Sequence, residues 1–281
     1  IMLSPYPELF HYAKEHRFTV GGFNSFNMET MQGIIAAANE KDVPIIVQTY
    51  HADIEYAGRE MLAAMCNAAC HDSKVKVAMG LDHGQSFEQA VRCIESGFSG
   101  VMIDLSSEDY DRNVYETKRV VEYAHARGIS VEAEIGKIFD ATCPVEVIAT
   151  GYTDPDVARR FAKDTNIDCL AVSIGTAHGI YKYEPKINFD LLKELVNTVS
   201  CPIVVHGGSG TPDEDVIQMV ELGIAKLNVG TDLFIAYKNA LYDVFMNEGP
   251  SVAPVTLMSA GREAVKQCAM HKIDLLTTFR A

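Results

Sequence analysis

The chain has 281 residues, 48% of them hydrophobic, and a formal net charge of −14. That size permits one large domain with a sizeable core, and the negative balance argues against nucleic acid or an anionic membrane as partner, since either surface would repel it. No apolar run approaches the roughly 20 residues of a membrane span, and the first residues lack a basic-then-apolar leader pattern; Ile1, which precedes Met2, is left out of the reading.

Apolar strand-like runs alternate with amphipathic helical stretches along the whole sequence. A strand at 18–23 is followed by a helix at 28–41, and a strand at 44–48 by a helix at 61–71. Strands at 75–81, 100–103 and 130–134 precede helices at 87–96, 113–127 and 156–165. Strands at 169–173, 202–206 and 225–229 precede helices at 190–199, 213–222 and 231–245, and a last helix near 259–273 closes the chain. Buried strands alternating with helices call for a parallel sheet covered by helices. Eight such units predict a (β/α)8 TIM barrel with an extra C-terminal helix. With no linker or low-complexity run, residues 1–281 read as a single domain. Seven cysteines, an odd number without any CxxC pair, predict buried reduced thiols and a cytoplasmic setting.

The polar residues then fall at strand ends. Asp82 and His83 follow the third strand, Glu132 and Glu134 end the fifth, and His178 follows the sixth. His206 ends the seventh and Asn228 the eighth. A barrel brings these ends to one rim, where barrel enzymes keep their chemistry. Each histidine alone could merely hydrogen-bond beside a loop. Three at corresponding positions, each followed by glycine, predict a zinc site with an open position. The stretch His206-Gly207-Gly208-Ser209-Gly210 and the stretch Asn228-Val229-Gly230-Thr231 offer backbone N–H clusters after the seventh and eighth strands, the usual phosphate site of this fold. A polarising metal, a carboxylate and a phosphate anchor together suggest carbon–carbon bond chemistry. Asp82 is placed to move a proton, or else to cap the turn that begins at Gly84. No expected strand ends on lysine, which weakens a Schiff-base route.

The segments GGFNSFNMET, GLDHG, VEAEIG, YTDP, AVSIGTAHGIYK, VVHGGSG and KLNVGTDL carry a family likeness. The chain resembles the class II, zinc-dependent fructose- and tagatose-bisphosphate aldolases over almost its whole length. The resemblance implies cleavage of a phosphorylated ketose to dihydroxyacetone phosphate and an aldehyde. It implies Asp82 as proton donor, His83, His178 and His206 as zinc ligands, and Glu134 beside the metal. It also implies that Asn24, Gly179, Lys182, Gly207, Gly208, Ser209, Asn228, Val229, Gly230 and Thr231 hold the substrate. A monovalent cation (Na+ or K+) often lies near that phosphate, and members are usually homodimers or homotetramers.

Three departures stand out. The loop after the fifth strand reads Gly136-Lys137-Ile138-Phe139-Asp140-Ala141-Thr142-Cys143 in place of a Gly-Gly-acidic motif. After the second strand, Gln48-Thr49-Tyr50-His51 replaces the small hydroxyl residue that faces the distal phosphate. Val255 stands where several members carry an arginine for that phosphate. The distal end is therefore expected to take a non-phosphate group, as in 6-sulfofructose 1-phosphate, with Tyr50, His51 and Arg280 as candidate contacts. Cleavage of fructose or tagatose 1,6-bisphosphate is the alternative. A non-catalytic aldolase-like partner subunit is the alternative from another class.

Overall fold

The computed structural model describes residues 3–281. Its eight strands are Val20–Asn24 (β1), Ile45–Tyr50 (β2), Val77–Gly84 (β3), Gly100–Ile103 (β4), Ser130–Ile135 (β5), Cys169–Val172 (β6), Ile203–Val205 (β7) and Lys226–Val229 (β8). All pair in parallel, in sequence order, and β8 pairs with β1 to close the barrel. The helices before β5 are Tyr6–Glu15 (α1), Met28–Lys41 (α2), His51–Ala57 (α3), Arg59–Ala69 (α4), Phe87–Glu95 (α5) and Tyr110–His125 (α6). The rest are Val145–Ala149 (α7), Pro155–Thr165 (α8), Phe189–Thr198 (α9), Asp213–Leu222 (α10), Thr231–Glu248 (α11) and Pro254–Leu276 (α12). The expected barrel and its extra C-terminal helix are therefore present. Among the described residues, no helix is long and apolar enough to cross a membrane, and all seven cysteines are free thiols.

Strand residues alternate between two cores, as the two-residue period requires. Ile45, Val47, Val77 and Met79 pack under the helices, while Val20, Ile46, Ala78, Met102, Ala171 and Val204 fill the lower barrel. The plug below them is α1, whose Tyr6, Leu9, Phe10 and Ala13 form one apolar stripe at helical spacing. Tyr6 enters the barrel because β3 and β4 carry glycine there. A Cβ on Gly80 would lie 2.0 Å from the Tyr6 hydroxyl, and one on Gly100 2.4 Å from its ring.

Helices α1, α3 and α7 are additional to those the sequence pattern predicts, and α12 begins at Pro254, five residues before the expected start near 259. The third strand, expected to end at Leu81, continues through Asp82 and His83 to Gly84. That extension orients the whole upper barrel.

Candidate active site

Neighbouring strand residues normally point to opposite faces, yet Asp82 and His83 both enter the mouth. The pairing of β3 with β4 shifts register between Leu81 and Gly84, and His83 adopts φ 49°. This bulge turns the imidazole inward beside the carboxylate. Left-handed backbone at a non-glycine residue is costly and is held by its surroundings. Here the His83 N–H points at Met102 Sδ, 3.4 Å away, and its Nδ1 lies 2.7 Å from Asp104 Oδ2.

Both Asp82 oxygens are held by amides. Asn24 Nδ2 donates to Oδ2 at 2.7 Å and Asn228 Nδ2 to Oδ1 at 3.3 Å, and Gln48 in turn donates to Asn24 Oδ1 at 3.0 Å. The cap of α5 is Ser86, whose Oγ accepts from Gln89 N. Asp82 is thus not a helix cap. Burial pushes its pKa up, but the charges of His83, His206 and Lys226 and the Asn24 bond leave it below the usual carboxylate value.

His206 is fully buried at the end of β7. Its Nε2 lies 2.8 Å from Glu132 Oε1, and the other Glu132 oxygen accepts from Lys226 Nζ at 2.6 Å. Burial opposes the Glu132 charge, yet Lys226 and His206 hold its pKa at about 2. A carboxylate can only accept, so His206 carries its proton on Nε2 and His83 on Nδ1. The remaining nitrogens, His206 Nδ1 and His83 Nε2, lie 3.1 Å apart; a proton on His83 Nε2 bridges them when His83 is charged, and with both rings neutral they present lone pairs to each other. Two lone pairs at that distance repel unless a cation lies between them. Zinc–nitrogen bonds of 2.0–2.1 Å in a tetrahedron place two nitrogens about 3.3 Å apart.

His178 completes the cluster: one donor atom from each of His83, His178 and His206 falls within 4.8 Å of the others. Burial, then the neighbouring His83 and His206, lower its pKa to about 3, so it too is a neutral donor. A second candidate group, His83 with Asp104 and Glu134, meets the same limit. Glu134 Oε2 is buried without a hydrogen-bond partner and lies 3.7 Å from His206 Nδ1, while Oε1 accepts from Ser106 Oγ at 3.2 Å. Burial, then Asp104, raise the Glu134 carboxyl to about 8. Burial would discharge His83, but Asp82, Asp104 and Glu134 hold its pKa near 10. The carboxyls thus demand positive charge at this centre, and a divalent ion supplies it without a proton. The residues fit a metal.

The cavity above them, about 240 Å³, is lined by Asn24, Tyr50, Asp53, Asp82, His83, His178, Gly179, Gly207, Ser209, Asn228, Gly230, Thr231 and Phe234. Gly207 has φ 75°, and a Cβ there would lie 2.5 Å from Ala177 O, so the turn after β7 needs glycine. Ser209 Oγ accepts from Gly230 N and Asp232 N, joining this turn to the start of α11. Gly230, the N-cap of that 18-residue helix, has no side chain to cap it; Ser209 takes the Asp232 N–H, and the Thr231 end of the helix with its dipole lines the mouth, a setting suited to an anion.

Some expected site residues lie elsewhere. The Gly208 N–H is bonded to Asn228 O at 2.8 Å, and the Val229 side chain is in the outer core. Lys182 is exposed with its ammonium 5.5 Å from the Tyr183 ring, outside the cavity wall. His51 Nε2 faces Gln85 Nε2 at 3.2 Å and His51 does not line the cavity. Arg280 sits at the opposite end of the barrel, donating to Lys41 O at 3.1 Å near Asp42, because α12 runs down to the strand starts. It is therefore no distal contact within this chain. Val255 is 72% exposed in the first turn of α12. Glu132, which the sequence places at the end of the fifth strand without a role, orients the cluster together with Asp104 and Lys226; neither of those two nor Asp53 carries a local sequence signal. A larger cavity of about 880 Å³ opens beside α1 at the strand starts, lined by Phe10, Ala13 and Phe18 and by none of the residues of the histidine cluster.

With this geometry in hand, comparison with known proteins is direct. The family model described as "Fructose-bisphosphate aldolase class-II" matches residues 4–279. A fructose-bisphosphate aldolase of Staphylococcus aureus (strain Mu50) is 38% identical over 264 residues, covering 93% of this chain and 92% of that protein. One from Geobacillus stearothermophilus is 37% identical over 269 residues, covering 95% and 94%. The crystal structure of the YdjI aldolase from Escherichia coli K12 superposes with TM-score 0.87 at 33% identity, covering 98% of this chain and 97% of that one.

Proposed function

This chain belongs to the class II fructose-bisphosphate aldolase family, and on that premise we propose that it reversibly cleaves a ketose 1-phosphate to dihydroxyacetone phosphate and an aldehyde. The observation that carries this is the convergence of His83, His178 and His206, with two imidazole nitrogens 3.1 Å apart, beside the buried, amide-held Asp82. His83 Nε2, His206 Nδ1 and His178 would hold zinc, with Glu134 Oε2 as a fourth donor. Bound zinc would act as a Lewis acid toward the substrate carbonyl.

The chain's own groups do the rest. Backbone N–H groups of Gly179, Gly207 and Thr231 at the helix start anchor the 1-phosphate, with Ser209 bracing the two loops through Gly230 N and Asp232 N. A monovalent cation beside that phosphate belongs to the same reading. Asp82 moves the proton at the C4 oxygen as the C3–C4 bond breaks or forms. Asn24 and Asn228 keep its carboxylate aimed. Asp104 and Glu132 fix the tautomers of His83 and His206.

At the distal end, Tyr50 crowds a tetrahedral dianion and no arginine or lysine among the described residues lines the cavity. A group other than phosphate, a sulfonate or a hydroxyl, suits it. Fructose or tagatose 1,6-bisphosphate is the second reading, favoured by the names of the relatives at 37–38% identity. We read the protein as one barrel domain, cytoplasmic, and working as a homodimer or homotetramer. Tyr242, Phe245, Met246 and Val255, apolar and exposed near the α11–α12 turn, support association.

The test is proton exchange on dihydroxyacetone phosphate in D2O with no aldehyde present. Zinc-loaded protein exchanges one C3 hydrogen for deuterium, and excess chelator stops it. Equal exchange in chelator would overturn the zinc assignment.

A further inference from the structure

Asp53 is an ionisable wall of the cavity for which the reaction above has no task. It lies in the first turn of α3, half-buried. No hydrogen bond or cation relieves it: burial, then the charge of Asp82, raise its pKa to about 6. A part-buried carboxylate without a partner is costly unless a ligand completes it. Its place relative to Asp82 follows from register, since Tyr50 on β2 pairs with Asp82 on β3 and Asp53 follows one turn later. The phosphate anchor lies after β7 and β8. Substrate atoms beyond C4 must therefore pass Asp82 into the part of the cavity walled by Tyr50 and Asp53.

We propose that Asp53 is the specificity-determining residue of the aldehyde end: it accepts hydrogen bonds from the hydroxyls of an uncharged hydroxyaldehyde and turns away aldehydes bearing a phosphate or a sulfonate. This rests on the aldolase reading and narrows its distal group, from a sulfonate or a hydroxyl to a hydroxyl alone. Hydroxyl donors give the carboxylate charge-assisted bonds. A phosphate or sulfonate brings like charge to a partly desolvated acid, where repulsion is only weakly screened and no arginine or lysine among the described residues lines the cavity to offset it. Sites that must hydrogen-bond a hydroxyl discriminate strongly, because the wrong group leaves a buried partner unpaired.

The experiment condenses dihydroxyacetone phosphate with glyceraldehyde (both enantiomers) or with glyceraldehyde 3-phosphate and compares kcat/KM. Deuterium exchange into dihydroxyacetone phosphate is measured on the same unmodified protein. The expected result is a preference for glyceraldehyde of tenfold or more, about 1.4 kcal/mol. Asp53→Asn should shrink that ratio at least fivefold, and Asp53→Glu, which keeps the charge, should retain it. A preference for glyceraldehyde 3-phosphate in the unmodified protein, or an Asp53→Asn ratio within twofold of it, overturns the proposal while exchange stands. Absence of exchange overturns the aldolase reading and the proposal with it.

Discussion

Replacing Glu132 with glutamine tests how the metal centre is held, because the change keeps the shape and removes one buried charge. Glu132 accepts from His206 Nε2 at 2.8 Å and from Lys226 Nζ at 2.6 Å, and all three side chains are at most 2% exposed. A glutamine has one accepting oxygen for two donors. If that oxygen serves Lys226, its NH2 faces His206, and the imidazole relieves the clash by moving its proton from Nε2 to Nδ1. Nδ1 is the nitrogen that faces His83 Nε2, so the metal loses a donor. Loss of such an orienting partner typically costs 10–100-fold in metal affinity, about 1.4–2.7 kcal/mol. Separately, Lys226 loses its counter-charge in the barrel, a change worth about 3–5 kcal/mol for a buried pair broken on one side. At about 2–4 °C per kcal/mol for a chain near this size, the Tm of the metal-free protein should fall by roughly 6–20 °C. Competition with a chromogenic chelator reads the first effect and calorimetry the second. Glu132→Gln combined with Lys226→Met should recover much of the Tm but not the zinc affinity. Zinc affinity of Glu132→Gln within threefold of the unmodified protein would refute the tautomer argument.

Asp82→Ala should keep its zinc and lose roughly 10²- to 10⁴-fold in kcat, with KM little changed because the phosphate anchor is intact; near-normal turnover would remove Asp82 from the chemistry. His178→Ala should lose most bound zinc by metal analysis while remaining folded by circular dichroism, and retained zinc would assign the site to His83, Asp104 and Glu134. Gly100→Val should force a side chain against the Tyr6 ring, 2.4 Å from its Cβ position, costing about 1–3 kcal/mol or more; an unchanged melting curve would show that Tyr6 does not plug the barrel.

What the sequence disclosed were the features written in local pattern. Eight strand–helix alternations predict the barrel, and strand-end histidines next to glycine predict the metal cluster, because a closed barrel turns sequence-distant strand ends into neighbours. The orienting layer is not local. Glu132 reads as a strand-end carboxylate with no partner named, and Lys226 as the start of β8. Their meeting depends on interior packing across the barrel. The inward turn of His83 depends on a register shift between β3 and β4, to which only the glycines at 80 and 84 give a clue. Arg280 was misplaced because the position of the C-terminus is set by how α12 packs on α2 and α11, which pattern alone does not give. The helix α1 is absent from the sequence reading although its apolar residues fall at i, i+3, i+4 and i+7, and nothing in that pattern says that it seals a barrel.

The central claim is zinc-dependent carbon–carbon cleavage at the His83–His178–His206 cluster, and release of dihydroxyacetone phosphate from ketose 1-phosphates tests it most directly. Protein stripped with chelator should release none, stoichiometric zinc should restore release, and borohydride should trap no lysine adduct. Full release in excess chelator, or a trapped lysine–substrate adduct, would contradict the account.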